Sequence, residues 1–116
     1  MTDFGTTRDR DFSMTGSYGY TYVLTSTDTP QSFDSAYLTY STAPSGVQER
    51  TAGSALITCE TYPVRVSWLT PPTFSLGHAL EPGDTMRVVG IINLENFQYI
   101  SGSAGAAGKL QVTFEF

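Results

Sequence analysis

The chain has little of what catalytic and metal sites are built from. Among its 116 residues there is one cysteine, one histidine and one tryptophan. A lone Cys59 excludes an internal disulfide, and with it the stapled secreted modules. One Cys and one His fall short of the four ligands, or three and a water, that a zinc site takes, unless subunits share a site. Six Lys and Arg, scattered along the chain, face eleven Asp and Glu, for a net charge of −5. Nucleic-acid binding needs clustered cations to displace phosphate counterions. An anionic membrane surface asks for the same, so both are disfavoured as partners. No apolar run approaches the roughly 20 residues a membrane helix requires. Residues 1–17 carry no basic n-region followed by an apolar h-region. The expectation is a protein made and folded in a cytoplasm.

Charged residues make up only 15% of the chain, below the usual quarter. Thr, Ser and Gly fill the deficit, with seven Tyr and seven Phe. Thr, Tyr and Phe suit a pleated, half-buried surface, and the Ala/Glu/Lys/Leu bias of helical chains is missing. A chain of this length holds one domain that buries roughly two-thirds of its unfolded surface. All-β is the expected class.

Residues 1–17 are polar, contain two glycines and show no periodicity, which reads as an extended N-terminal arm. Its apolar residues Phe4, Phe12 and Met14 point to ordering on a partner rather than to simple fraying. The domain proper is expected over 18–116. Tyr18, Tyr20 and Tyr22 alternate ahead of Val23-Leu24 as a first strand. Residues 25–34 read as a turn, 36–40 as a second strand and 41–53 as a loop. Strands are then expected over 54–60 and 64–69, the latter with Val64, Val66 and Trp68 on one face and Arg65 and Ser67 on the other. Residues 70–84 form a long connection ending in Glu81-Pro82-Gly83-Asp84, which fits a type II turn. A strand over 85–92, a turn over 93–96, a strand over 97–101 and a glycine-rich hairpin loop over 102–108 follow. The closing strand, 109–116, sets Leu110, Val112, Phe114 and Phe116 against Lys109, Gln111, Thr113 and Glu115. About seven short strands, with turn signals every eight to twelve residues, predict an antiparallel β-sandwich or jelly roll, with a short barrel as the alternative. Val64, Val66, Trp68, Leu110, Val112 and Phe114 are the expected core.

Searched for chemistry, the sequence offers no enzyme. His78 stands alone in a loop, where a hydrogen-bonded structural role is far commoner than general-base or ligand work. Glu60, Glu81, Asp84 and Glu95 fall in turns or at strand ends with no spacing that singles out a glycosidase pair. Asp9-Arg10-Asp11 is too short for a calcium loop. The glycines of 102–108 precede a strand, so they offer no helix N-terminus to a phosphate. Neither a nucleophile elbow nor a dinucleotide fingerprint occurs, and no cofactor is implied. The aromatics are the one abundance. Trp68 packs with Val64 and Val66 by alternation, although with the tyrosines it could instead form a sugar-stacking platform. Tyr18, Tyr20 and Tyr22 suit either a core edge or a protein interface.

The second half of the chain, about residues 50–116, resembles small β-sandwich virion proteins of tailed phages, of the capsid decoration, cement or staple type. The resemblance lies in an order of parts. A strand ending in an acid (Ala55-Leu56-Ile57-Thr58-Cys59-Glu60) precedes a Pro63-Val64-Arg65 strand. A loop follows that runs from Pro72-Thr73 through Gly77-His78 and Leu80 to Pro82-Gly83-Asp84. An Asn93-Leu94 turn then leads to Phe97 and Ile100, and the chain closes on Leu110-Gln111-Val112-Thr113. Pro71 stands where the pattern has a glycine turn. The resemblance implies a virion structural protein on the capsid exterior, bound to the major capsid protein or other virion proteins as a dimer or trimer. The alternative readings are a tail or head–tail accessory module and a carbohydrate-binding module for host attachment. Residues Phe4, Phe12, Met14, Tyr18, Tyr20 and Tyr22 are the expected interface.

Overall fold

The computed structural model describes residues 19–40 and 50–116. The calls on the arm, on Phe4, Phe12, Met14 and Tyr18, and on most of the loop over 41–53 lie outside the described residues. Strands β1 (Gly19–Thr25), β10 (Lys109–Glu115), β5 (Ser54–Glu60) and β8 (Thr85–Val89) form one antiparallel sheet in that order. The second sheet runs β2 (Gln31–Ser32), β9 (Phe97–Ser101), β6 (Val64–Trp68) and β7 (His78–Leu80). A two-stranded ribbon of β3 (Thr39–Tyr40) and β4 (Arg50–Thr51) stands apart. Leaving that ribbon aside, the first strand pairs with the last, the second with the next to last, and so on inwards to β6 with β7. That nesting of hairpins wrapped across two sheets is the jelly roll.

Alternation explains why these residues make these sheets. Along β10, Leu110, Val112 and Phe114 are fully buried, and their cross-strand partners Cys59, Ile57 and Ala55 on β5 are buried with them. Val64 and Val66 are their counterparts in the second sheet, joined by Phe97 and Tyr99 of β9. Phe33, immediately after β2, bridges the sheets. It stacks on Phe97 at 4.9 Å and meets Phe114 edge-on at 4.9 Å. Trp68 lies on the inner face at the end of its strand, half-buried, edge-on to Phe97 at 5.6 Å.

Six local expectations are corrected. The turn expected over 25–34 contains β2, and the loop expected over 41–53 contains β4. Residues 36–40 are not one strand: a 3-10 turn spans Ser35–Leu38, and only Thr39 and Tyr40 are extended. The Asp34 carboxylate caps it by accepting from the Ala36 N–H. Leu38 is buried and Tyr37 stacks on Tyr22 at 4.1 Å, a consecutive pair of core contacts that strand alternation cannot supply. The long connection of 70–84 contains β7, paired with β6. The strand expected over 85–92 stops at Val89, because Gly90 at φ +100° turns the chain into a short helix, α1 (Ile91–Asn96), which buries Leu94. Finally, 102–108 is not a hairpin loop. It carries the chain from β9 in one sheet to β10 in the other. The Glu81–Asp84 turn has its Gly83 at φ +97° and an Asp84 N–H donating to the Glu81 carbonyl.

Candidate interaction surface

The strand directions sort the connections onto two ends. One, the turn end, gathers residues 26–30, 60–63, 81–84 and 102–108. The other, the helix end, gathers α1, the 3-10 turn and the start of the 69–77 loop.

The turn end is tightly tied and acidic. The Ser26 N–H donates to the Gly108 carbonyl, while the Ser26 hydroxyl accepts from the Gly108 N–H and bonds the Ser101 hydroxyl. The Asp28 carboxylate accepts from the Gly105 N–H, which holds the glycine-rich crossover. Gly108 is required there, since a Cβ on it would stand 2.4 Å from the Tyr62 carbonyl oxygen. Asp28, Glu60, Glu81 and Asp84 are exposed on this end, with Lys109 beside them. Beneath three of these acids lies Cys59. Burial pushes its thiol up to about 11, opposed by a hydrogen bond with the Val64 backbone and reinforced by the charges of Asp84, Glu81 and Glu60. The Sγ sits 3.3 Å and 3.4 Å from the Tyr62 and Leu80 carbonyls. A protonated, buried thiol is an inert packing group rather than a nucleophile.

The helix end holds two exposed acids, Asp34 and Glu95, and the most exposed large apolar side chains among the described residues: Leu69, Val89 and Ile92 are 71%, 61% and 68% exposed, on three different segments at that end. Leu69 is held at φ +65°, which costs a side-chain-bearing residue roughly 1–2 kcal/mol. Its backbone is fixed on both sides: the Leu69 N–H donates to the Asn96 carbonyl, and the Gln98 amide donates to the Leu69 carbonyl. Asn93 and Asn96 cap the neighbouring carbonyls of Val89 and Ile92 through their side-chain amides. The scaffold is therefore rigid while its apolar side chains face solvent. Beyond Leu69 the loop folds back over the outer face of the second sheet. There the Arg65 guanidinium donates to the Phe74 and Gly77 carbonyls, and Pro72 is buried beneath. Phe74 and Leu76 are exposed on this loop.

The sequence-predicted residues fall in several places. Tyr20 is exposed at the helix end, edge-on to Phe116 at 6.3 Å. Tyr22 is half-buried between Tyr37 and Phe114. His78 is exposed on β7, 6.1 Å from the Trp68 ring centre. Glu60, Glu81 and Asp84 share the turn end, whereas Glu95 is on α1. Among the described residues, no three His, Cys, Asp or Glu side chains gather to hold a metal ion. One polar pair was missed altogether. Glu115, on the outward face of β10, is buried by an ion pair with Arg87 and a hydrogen bond from the Ser54 hydroxyl. The missed apolar trio Leu69, Val89 and Ile92 had only Gly90 as a sequence signal.

No protein-family model, curated protein or solved structure matches the chain. Its function is therefore argued from the surface alone.

Proposed function

We propose that this chain is a non-enzymatic structural subunit of a tailed-phage particle, which decorates or cements the capsid shell through the helix end of its jelly roll. The observation that carries the reading is the exposure of three large apolar side chains at one end. Leu69, Val89 and Ile92 stand there on a hydrogen-bonded scaffold beside two acids, Asp34 and Glu95, while Asp28, Glu60, Glu81 and Asp84 occupy the other end. Large apolar side chains held exposed at one end of a small domain favour an interaction site there, and apolar residues at the centre of a contact are what protein interfaces show. The acidic end then faces outward, where it keeps the free subunit soluble. The jelly roll is an architecture that capsid proteins use repeatedly. In this reading the partner is the major capsid protein or another virion protein, and the subunit self-associates as a dimer or trimer. It is made in the host cytoplasm and resides on the capsid exterior, with no cofactor.

Co-sedimentation with shells assembled from the major capsid protein of the same genome tests this. The full chain is expected to sediment with shells, and a form lacking residues 1–17 to bind more weakly. A protein that ignores shells in both forms overturns the capsid reading. Oligosaccharides that protect Trp68 from acrylamide quenching would then favour carbohydrate binding.

A further inference from the structure

Among the described residues, two that carry side chains stand in the left-handed region of backbone space, Thr61 at φ +66° and Leu69 at φ +65°. Glycine adopts that conformation freely and asparagine more readily than leucine, because a Cβ there crowds the following carbonyl. At Thr61 the side chain offsets the strain. Its hydroxyl donates to the Glu60 carbonyl and accepts from the Lys109 N–H, which ties the β5–β6 turn to β10. At Leu69 there is no such compensation. Its side chain is 71% exposed and has no polar group. The Asn96 carbonyl and the Gln98 amide bond only its backbone, so glycine or asparagine would keep both contacts.

The fold thus holds a strained leucine whose side chain contributes little to it. Strain of this kind persists only where the surrounding structure enforces it, and it concentrates at functional sites. We infer that Leu69 is the anchor of the helix-end contact, inserting its side chain into an apolar pocket of the shell protein, although another residue at this position would make the free domain more stable. The inference rests on the capsid reading above and names the residue and the partner chemistry behind it. The pocket is apolar because what Leu69 presents is a branched aliphatic group, with Val89 and Ile92 exposed at the same end. A few central side chains carry most of the energy of a protein contact. The backbone of Leu69 is already fixed, so little ordering remains to be done on binding.

Three single variants of the full-length chain separate stability from binding. Leu69→Gly and Leu69→Asn relieve the strain and remove the apolar group, whereas Leu69→Met keeps both. Thermal melts should rise by about 2–6 °C for the glycine and asparagine variants and stay close to wild type for the methionine variant. Co-sedimentation with shells of the major capsid protein should weaken about tenfold or more for the first two and persist for the third. Melting temperatures that fall in both Leu69→Gly and Leu69→Asn overturn the inference, because the side chain then packs within the chain itself. Wild-type shell binding that these two variants retain overturns the inference and leaves the capsid reading standing. A wild-type chain that ignores shells overturns the capsid reading and the anchor with it.

Discussion

Phe33 is the side chain on which the two sheets most visibly depend. It is buried, stacked on Phe97 of one sheet and edge-on to Phe114 of the other, with Tyr99 a further 6.1 Å neighbour. Phe33→Ala removes a fully packed ring and leaves a cavity that the flanking strands cannot close, so the expected cost is about 3–5 kcal/mol. Phe33→Leu keeps most of the apolar volume and loses the ring geometry, which contributes about 0.5–1.5 kcal/mol per aromatic pair. Its cost should be about 1–2 kcal/mol. Urea unfolding followed by Trp68 fluorescence reads both, since Trp68 packs on Phe97 and reports the same region. The midpoint should fall in the order wild type, F33L, F33A with the urea slope unchanged, because surface exposed on unfolding sets that slope. An F33A protein within about 0.5 kcal/mol of wild type, the range of an ordinary surface change, would refute the bridging role.

Three further expectations follow from the ties described above. Gly108→Ala should destabilise by about 2 kcal/mol or more, because its Cβ meets backbone at 2.4 Å. Gly105→Ala, where nothing stands within 4 Å but φ is +75°, should cost only about 1 kcal/mol; thermal melts separate the two. Arg65→Ala removes both guanidinium bonds to the 70–77 loop, so amide exchange there should quicken while β5 and β10 stay protected. Cys59 is raised by burial from about 9 to about 11. Its contribution is therefore complete below pH 9 and is lost as pH rises through 11, a fall of about 3 kcal/mol. Tyr99 is likewise pushed up by burial, so alkaline urea titrations should show a fall in both proteins, beginning at lower pH and larger in wild type than in Cys59→Ala.

What the sequence made legible was what repeats within a strand. The runs over 54–60 and 97–101 contain the observed strands without adjustment, and the 109–115 alternation fixes which face of β10 is core, because buried and open faces differ in hydropathy every second residue. What depends on a distant partner was hidden. Phe33 sits alone among turn residues, and only its contacts with Phe97 and Phe114 make it core. Tyr37 and Leu38 carry strand-like residue types, yet an aspartate cap and two adjacent packing partners turn them into a 3-10 turn. Glu115 sits in a polar register and is buried all the same, since its counter-charge arrives from β8. The 102–108 loop has hairpin composition, but which sheet its strands join is a property of the whole wrap. The candidate surface was hidden for the same reason: Val89 and Ile92 extend an apolar strand pattern, and nothing local says that the strand ends at Gly90 and leaves Ile92 exposed on a helix.

The shell assay on two surface variants is the most direct measurement of whether the helix end binds. Leu69→Ser/Val89→Thr/Ile92→Ser changes only exposed side chains at that end, and Glu60→Gln/Glu81→Gln alters the opposite one. Loss of co-sedimentation in the first variant, with the second binding like wild type, is the predicted result. Binding that survives the first variant and fails in the second would place the contact on the acidic end and contradict the proposal.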